Sequence, residues 1–310
     1  MFLVLCSFVF TLLFSNGLSM KKIVGGSMAF QEDFPYIVSL QWKNRHHFCS
    51  GNLLSLKKVL TACHCTSIFF NHEHILFDRE DVIVVGGVLK LKNNIDEQIR
   101  HVKELLPHEK CEEQVYSWRF DYALYILDAP FQKHFKGGVV STVPLYSTNR
   151  IKAIEKLENM SKSSQVCRTA GWGNQLVVEN GTVYSTLSEY LKVLDVTLLS
   201  RKDCLLILCR PPMCRCLDDG DLQRKTQWCA IGPDEQDVCE GDSGAPLICS
   251  GFLFAILSWG PACGEWTYPS MYSGVYEVLD FLSSDVSMLA SSSYTLLEIG
   301  FFVLILILLF

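Results

Sequence analysis

The chain has 310 residues, 49% hydrophobic and 19% charged, which excludes a largely disordered protein and allows a sizeable core in one large or two medium domains. Its 33 acidic against 27 basic residues give a formal charge of −6 without long basic runs, which argues against a phosphate backbone; no nucleic acid is expected as partner. Fourteen cysteines scattered over the whole length are too many for a reducing compartment and point to an oxidising one.

Residues 2–14 are apolar except for Ser7 and Thr11, and the small or polar Ser15, Asn16, Gly17 and Ser19 follow. Residues 1–19 therefore read as a secretory signal, though without a basic start, and are set apart from the fold. Short apolar segments come next, at 36–40, 82–85, 123–127, 191–196 and 252–259, separated by Gly, Pro, Asn and charged stretches. That is the pattern of an all-β domain, and periodicity alone does not choose between barrel and sandwich. Only 277–289 reads as a helix, with Val278, Phe281, Leu282 and Val286 on one face. The chain ends in Ala290-Ser291-Ser292-Ser293, a short spacer and an apolar run over 299–310 broken only by Gly300. A membrane-spanning helix needs about 20 apolar residues, so 288–310 resembles a glycosylphosphatidylinositol attachment signal, with a single-pass tail anchor as the alternative.

Three distant segments carry the chemistry: Thr61-Ala62-Cys63-His64-Cys65, Asp121-Tyr122-Ala123-Leu124 and Gly241-Asp242-Ser243-Gly244-Ala245-Pro246. A serine hydroxyl becomes a nucleophile when an imidazole takes its proton, and the imidazole needs an acceptor to fix its tautomer. In order and in flanking residues these segments resemble the chymotrypsin-like serine proteases, from Ile23 to about Phe281. The resemblance implies two six-stranded antiparallel β-barrels with a C-terminal helix and a protease domain over 23–287. Ser243 would be the nucleophile, His64 the base and Asp121 its orienting group, with the Gly241 and Ser243 N–H groups as the oxyanion hole. It implies no cofactor and no metal. Ala245 stands where the family usually has glycine, a silent change unless the backbone there needs a positive φ.

Lys22-Ile23-Val24-Gly25-Gly26 resembles the family's activation junction, leaving a propeptide of only 20–22. Cleavage after Lys22 would free the Ile23 amino group to pair with buried Asp242, because an unpaired buried charge is costly. Asp237, six residues before Ser243, matches the pocket floor of trypsin-like members and implies cleavage after Arg or Lys. Gly260 and Gly274 match the pocket walls, and Ser258, Trp259 and Gly260 the edge that pairs with extended substrate. Val238 lacks the hydroxyl that helps solvate an ammonium, which favours arginine over lysine. The partners so implied are protein or peptide substrates with Arg or Lys at the cleavage site, proteinase inhibitors, and the outer membrane face through the tail.

By the same resemblance Cys49 pairs with Cys65, Cys167 with Cys249, Cys204 with Cys229 and Cys239 with Cys263. With Cys6 in the signal, Cys63, Cys111, Cys209, Cys214 and Cys216 remain, and Cys63 stands open between an inert buried thiol and a bridge to Cys111. Asn159 and Asn180 head N-glycosylation sequons in polar, loop-like surroundings. The competing function is a catalytically silent relative that binds a partner on the same barrels, suggested by Ala245, Cys63, Ser50 in place of a common glycine, and long loops at 121–167 and 204–229.

Overall fold

The computed structural model describes residues 26–281, with breaks at 31, 71–72, 93–95, 115–116, 180–181, 210–225, 234–235, 261–262, 264–266, 278 and 280. The secretory signal, Lys22, Ile23, Asn180, Cys214, Cys216, the tail and most of the C-terminal helix lie outside the described residues. Among the described residues no helix is long and apolar enough to cross a membrane.

The expected pair of barrels is present. The first is closed by Ala123–Leu127, Lys58–Thr61, His47–Ser55, Ile37–Trp42, Val82–Gly86 and Gln98–Pro107, all antiparallel, the last strand returning to the first. The second runs Lys192–Leu198, Val166–Gly171, Pro246–Cys249, Phe252–Trp259, Ser270–Gly274 and Gln227–Ile231, and closes where Thr197 faces Ile231. A short strand, Ser27–Met28, extends its edge against Lys192 and Val193.

Sequence pattern and burial agree strand by strand. Val82–Gly86 is buried at every position, so its run of branched apolar residues serves both faces. Gln98–Pro107 buries Val102 and Leu105 and leaves Lys103 and Glu104 exposed, the spacing of three arising from a bulge where Ile126 faces Glu104 and Leu127 faces Val102. One apolar cluster fills the first barrel and continues into the seam between barrels through Trp172, Leu191, Val193 and Ile256. Trp172 is fully buried there, and its indole Nε1 donates to the Leu89 carbonyl at 3.2 Å. A second cluster, with Leu247, Phe254 and Tyr272, fills the other barrel.

Two helices are added that the pattern of short strands conceals. Arg150–Lys162 is capped by Asn149, whose side chain accepts from Lys152 N, and it lays Ala153, Leu157 and Met160 on the second core. Arg201–Leu208 is capped by Ser200, which accepts from Asp203 N. Asn159 is exposed but lies within the first of these helices rather than in a loop, and the hydroxyl of Ser161 in the same sequon donates to the Glu158 carbonyl.

Five disulfides join described residues. Cys49–Cys65, Cys167–Cys249, Cys204–Cys229 and Cys239–Cys263 are the four implied by resemblance. The fifth, Cys63–Cys111, decides the open question about Cys63, the two Cα atoms lying 6.5 Å apart. Cys209 is disulfide-bonded as well.

Candidate active site

His64 sits on a single 3-10 turn, Cys63–Cys65, clamped from both sides by disulfides to Cys49 and Cys111. Thr66 fastens the turn from below, its hydroxyl donating to Cys63 O at 2.7 Å, and the Tyr125 hydroxyl donates to Cys65 O. The imidazole is thereby presented by a backbone with little freedom to move.

Asp121 is fully buried and bonds His64 twice. Its Oδ2 lies 2.9 Å from Nδ1, and its Oδ1 accepts the His64 backbone N–H at 3.0 Å. A third donor, the Ser258 hydroxyl, also reaches Oδ2. With Nδ1–H donating to the carboxylate, Nε2 is left as the basic nitrogen facing the cleft. Burial pulls the His64 pKa down, but the charge and hydrogen bond of Asp121, helped by Glu113, outweigh it and leave the pKa above the ordinary imidazole value.

The turn that carries Ser243 requires glycine on both sides. Gly241 has φ +94° and Gly244 φ +80°, and a Cβ at 244 would stand 2.2 Å from Ser50 O. Ala245 is fully buried and is not among the residues with positive φ, so the extra methyl meets no backbone strain. Ser50 N donates to Ser243 O at 2.8 Å and Asn52 Nδ2 to Gly244 O at 2.8 Å, which fixes the turn of the second barrel to a strand of the first. Among the described residues no hydrogen bond joins the Ser243 hydroxyl to His64, and the contact between them is open.

A relay that the sequence did not flag holds the turn at Gly241. Gln41 Nε2 donates to Ser39 Oγ at 2.9 Å, Ser39 Oγ lies 2.7 Å from His47 Nδ1, and His47 Nε2 lies 2.9 Å from Gly241 O. The carbonyl can only accept, so Nε2 carries the proton and Nδ1 accepts from Ser39. Burial lowers the His47 pKa to about 4, which keeps the ring neutral and the tautomer fixed.

Asp242, next to Ser243, is buried. Its carboxylate accepts from Gly173 N at 2.7 Å and Cys239 N at 2.9 Å, and burial raises its pKa from 3.8 to about 6 against those two bonds. No cation pairs with it among the described residues.

A cavity of about 300 Å³ opens beside Ser243, lined by Val238, Ser258, Trp259, Gly260 and Ser270 among others. Asp237 is buried directly behind this wall, its Oδ1 accepting from Val238 N at 2.8 Å and from the Ser270 hydroxyl at 3.3 Å. Gly274 does not line the cavity. It pairs with Ala255 deeper in the barrel, and a Cβ there would strike the Tyr276 ring. Ser270 occupies the wall instead, opposite Gly260, whose own Cβ would come within 3.0 Å of the Ser270 hydroxyl. Strand register explains the difference: Gly274 pairs with Ala255 and Tyr272 with Leu257, so it is the start of the strand, with Met271 opposite Trp259, that brings Ser270 to the cavity rim.

Two groups of potential metal ligands occur among the described residues, Cys49 with His64 and Cys65, and Cys63 with Cys111 and Asp121. All four sulfurs are in S–S bonds, so neither group offers a thiolate.

Comparison with known proteins agrees with this geometry. The chain is similar to hypodermin-A of Hypoderma lineatum, at 28% identity over 85% of this chain and 87% of the relative. It is also similar to a trypsin of Xenopus laevis, at 27% over 82% and 86%, and to the snake venom serine protease BmSP of Bungarus multicinctus, at 29% over 86% and 80%. The trypsin family profile matches residues 23–282, most of the chain and both barrels, and on that match the chain belongs to the trypsin family of serine proteases.

Proposed function

We propose that the chain is a serine endopeptidase of the secretory pathway that cleaves after Arg or Lys, with Ser243 as nucleophile, His64 as base and Asp121 as orienting group. The observation that carries the reading is the pair of hydrogen bonds that His64 makes to Asp121, next to a glycine-flanked turn that holds Ser243 at the mouth of a cavity. Ser243 Oγ would attack the scissile carbonyl as His64 Nε2 takes its proton, and the N–H groups of Gly241 and Ser243 would receive the oxyanion.

Asp237 supports the basic specificity. A buried carboxylate behind the cavity favours a substrate cation and penalises an apolar side chain that would leave it unmatched. Ser270 places beside Asp237 a hydroxyl that Val238 lacks, which supports lysine as well as arginine.

Activation by cleavage at Lys22-Ile23 is part of the same reading, since Asp242 is a buried anion whose partners are two N–H groups and no described cation. The signal, a lipid anchor from 288–310 on the outer cell face, and glycans at Asn159 and Asn180 complete it. The cleft's open Ser243–His64 contact favours one second reading, a catalytically silent homologue that binds a partner. Labelling of the activated protein with a fluorophosphonate probe tests the choice: labelling that depends on Ser243 and His64 is expected, and its absence in correctly cleaved protein would establish the silent reading.

A further inference from the structure

The hairpin of Glu112–Gln114 and Ser117–Arg119 is tied at its base to the catalytic turn, because Cys111 is bonded to Cys63. It also reaches the second barrel, where Gln227 Nε2 donates to the Trp118 carbonyl. The hairpin thus spans one end of the cleft.

Directly opposite residues of an antiparallel pair put their side chains on the same face, about 5 Å apart. Here Glu112 faces Arg119 and Glu113 faces Trp118. On the first face the charge is matched, with Arg119 Nη1 lying 3.7 Å from Glu112 Oε2. The other face turns to the catalytic imidazole, the ring centres of Trp118 and His64 standing 5.3 Å apart. Glu113 is exposed on that face, and no Lys or Arg among the described residues pairs with it. Its charge is felt at His64, second to that of Asp121.

An extended peptide points successive side chains to opposite sides. When one side chain enters the cavity beside Ser243, the preceding one therefore turns away from the cavity, over His64 and toward the hairpin. We infer that Glu113 and Trp118 form a second cation subsite, which holds a Lys or Arg immediately upstream of the cleaved basic residue, so that preferred substrates carry two consecutive basic residues. This rests on the endopeptidase reading. The carboxylate supplies the charge and the indole face a cation–π contact, together giving about a three- to tenfold preference at an exposed site.

Two measurements test it with matched fluorogenic peptides ending in Arg-Arg or Ala-Arg. The first is kcat/KM of the activated enzyme, and the second is equilibrium binding of the same peptides to activated protein carrying Ser243→Ala. Expected is a three- to tenfold preference for Arg-Arg, seen in KM and in binding alike. Glu113→Gln should reduce that ratio to less than half, while Glu112→Gln, on the outer face, should keep it. Equal binding of the two peptides, or a preference untouched by Glu113→Gln, overturns the subsite. Hydrolysis of neither peptide, with the binding preference intact, overturns the endopeptidase reading and leaves the subsite standing.

Discussion

Asp242 gives the sharpest quantitative test of the activation step. In the uncleaved chain burial moves its carboxyl from 3.8 to about 6, and that displacement corresponds to about 3 kcal/mol of penalty for holding the charge. The sign follows from proton counts. Between pH 3.8 and 6 the unfolded chain has lost this proton while the folded chain keeps it, so stability falls as pH rises and the full penalty stands above pH 6. His47 runs the other way: buried neutral with a pKa near 4, it makes the folded state bind fewer protons than the unfolded one between pH 4 and 6.5, and stability rises with pH there. The two nearly cancel in a single protein. A difference isolates Asp242, because His47 is common to cleaved and uncleaved forms. Both forms would carry Ser243→Ala to prevent self-digestion, the uncleaved one also Lys22→Gln, and urea unfolding would be followed from pH 4 to 7.5. If the Ile23 ammonium pairs with Asp242, cleaved protein gains stability over uncleaved by about 3 kcal/mol across this range, nearly all of it by pH 7. A difference that stays flat with pH, or shrinks as pH rises, would refute the pairing.

Three further outcomes follow from the site. Asp237→Ser should abolish cleavage after basic residues while Ser243 still reacts with a small fluorophosphonate, as probe labelling beside peptide hydrolysis would show; retained arginine preference would move the specificity charge elsewhere. Ser270→Gly removes the hydroxyl that stands between the cavity and Asp237, and kcat/KM on arginine peptides should rise about tenfold, the value of one charge-assisted hydrogen bond near 1.4 kcal/mol. The Cys63→Ala, Cys111→Ala protein loses a cross-link of sequence separation 48, which costs about 4 kcal/mol in the chain-entropy limit, read as a lower denaturation midpoint, and should also raise KM by loosening the 112–119 hairpin.

The acid limb of the activity profile follows from the raised pKa of His64. Only the neutral ring accepts the serine proton, so kcat/KM should fall as pH drops through a value above 6.5, where an ordinary histidine would lose activity lower down.

The sequence by itself singled out His64, Asp121 and Ser243 as candidates, because acyl transfer restricts such positions to few residue types and leaves short, recognisable surroundings. Resemblance implied four of the disulfides that the structure shows, and short apolar segments gave away the all-β class, matching the observed strands at Val82–Gly86, Ala123–Leu127 and Phe252–Trp259. Properties set by long-range geometry needed the fold. The Cys63–Cys111 bond exists because two loops 48 residues apart converge, and no local pattern encodes that approach. That Ala245 meets no backbone strain depends on a backbone angle, and the His47 relay on a barrel strand meeting the Gly241 carbonyl 194 residues away. The pocket wall makes the point most directly. Gly274 reads as wall by resemblance, but its pairing with Ala255 sets it deeper in the barrel and brings Ser270 to the wall, since a sheet's register is fixed by which residues of two distant strands meet and not by the letters of either.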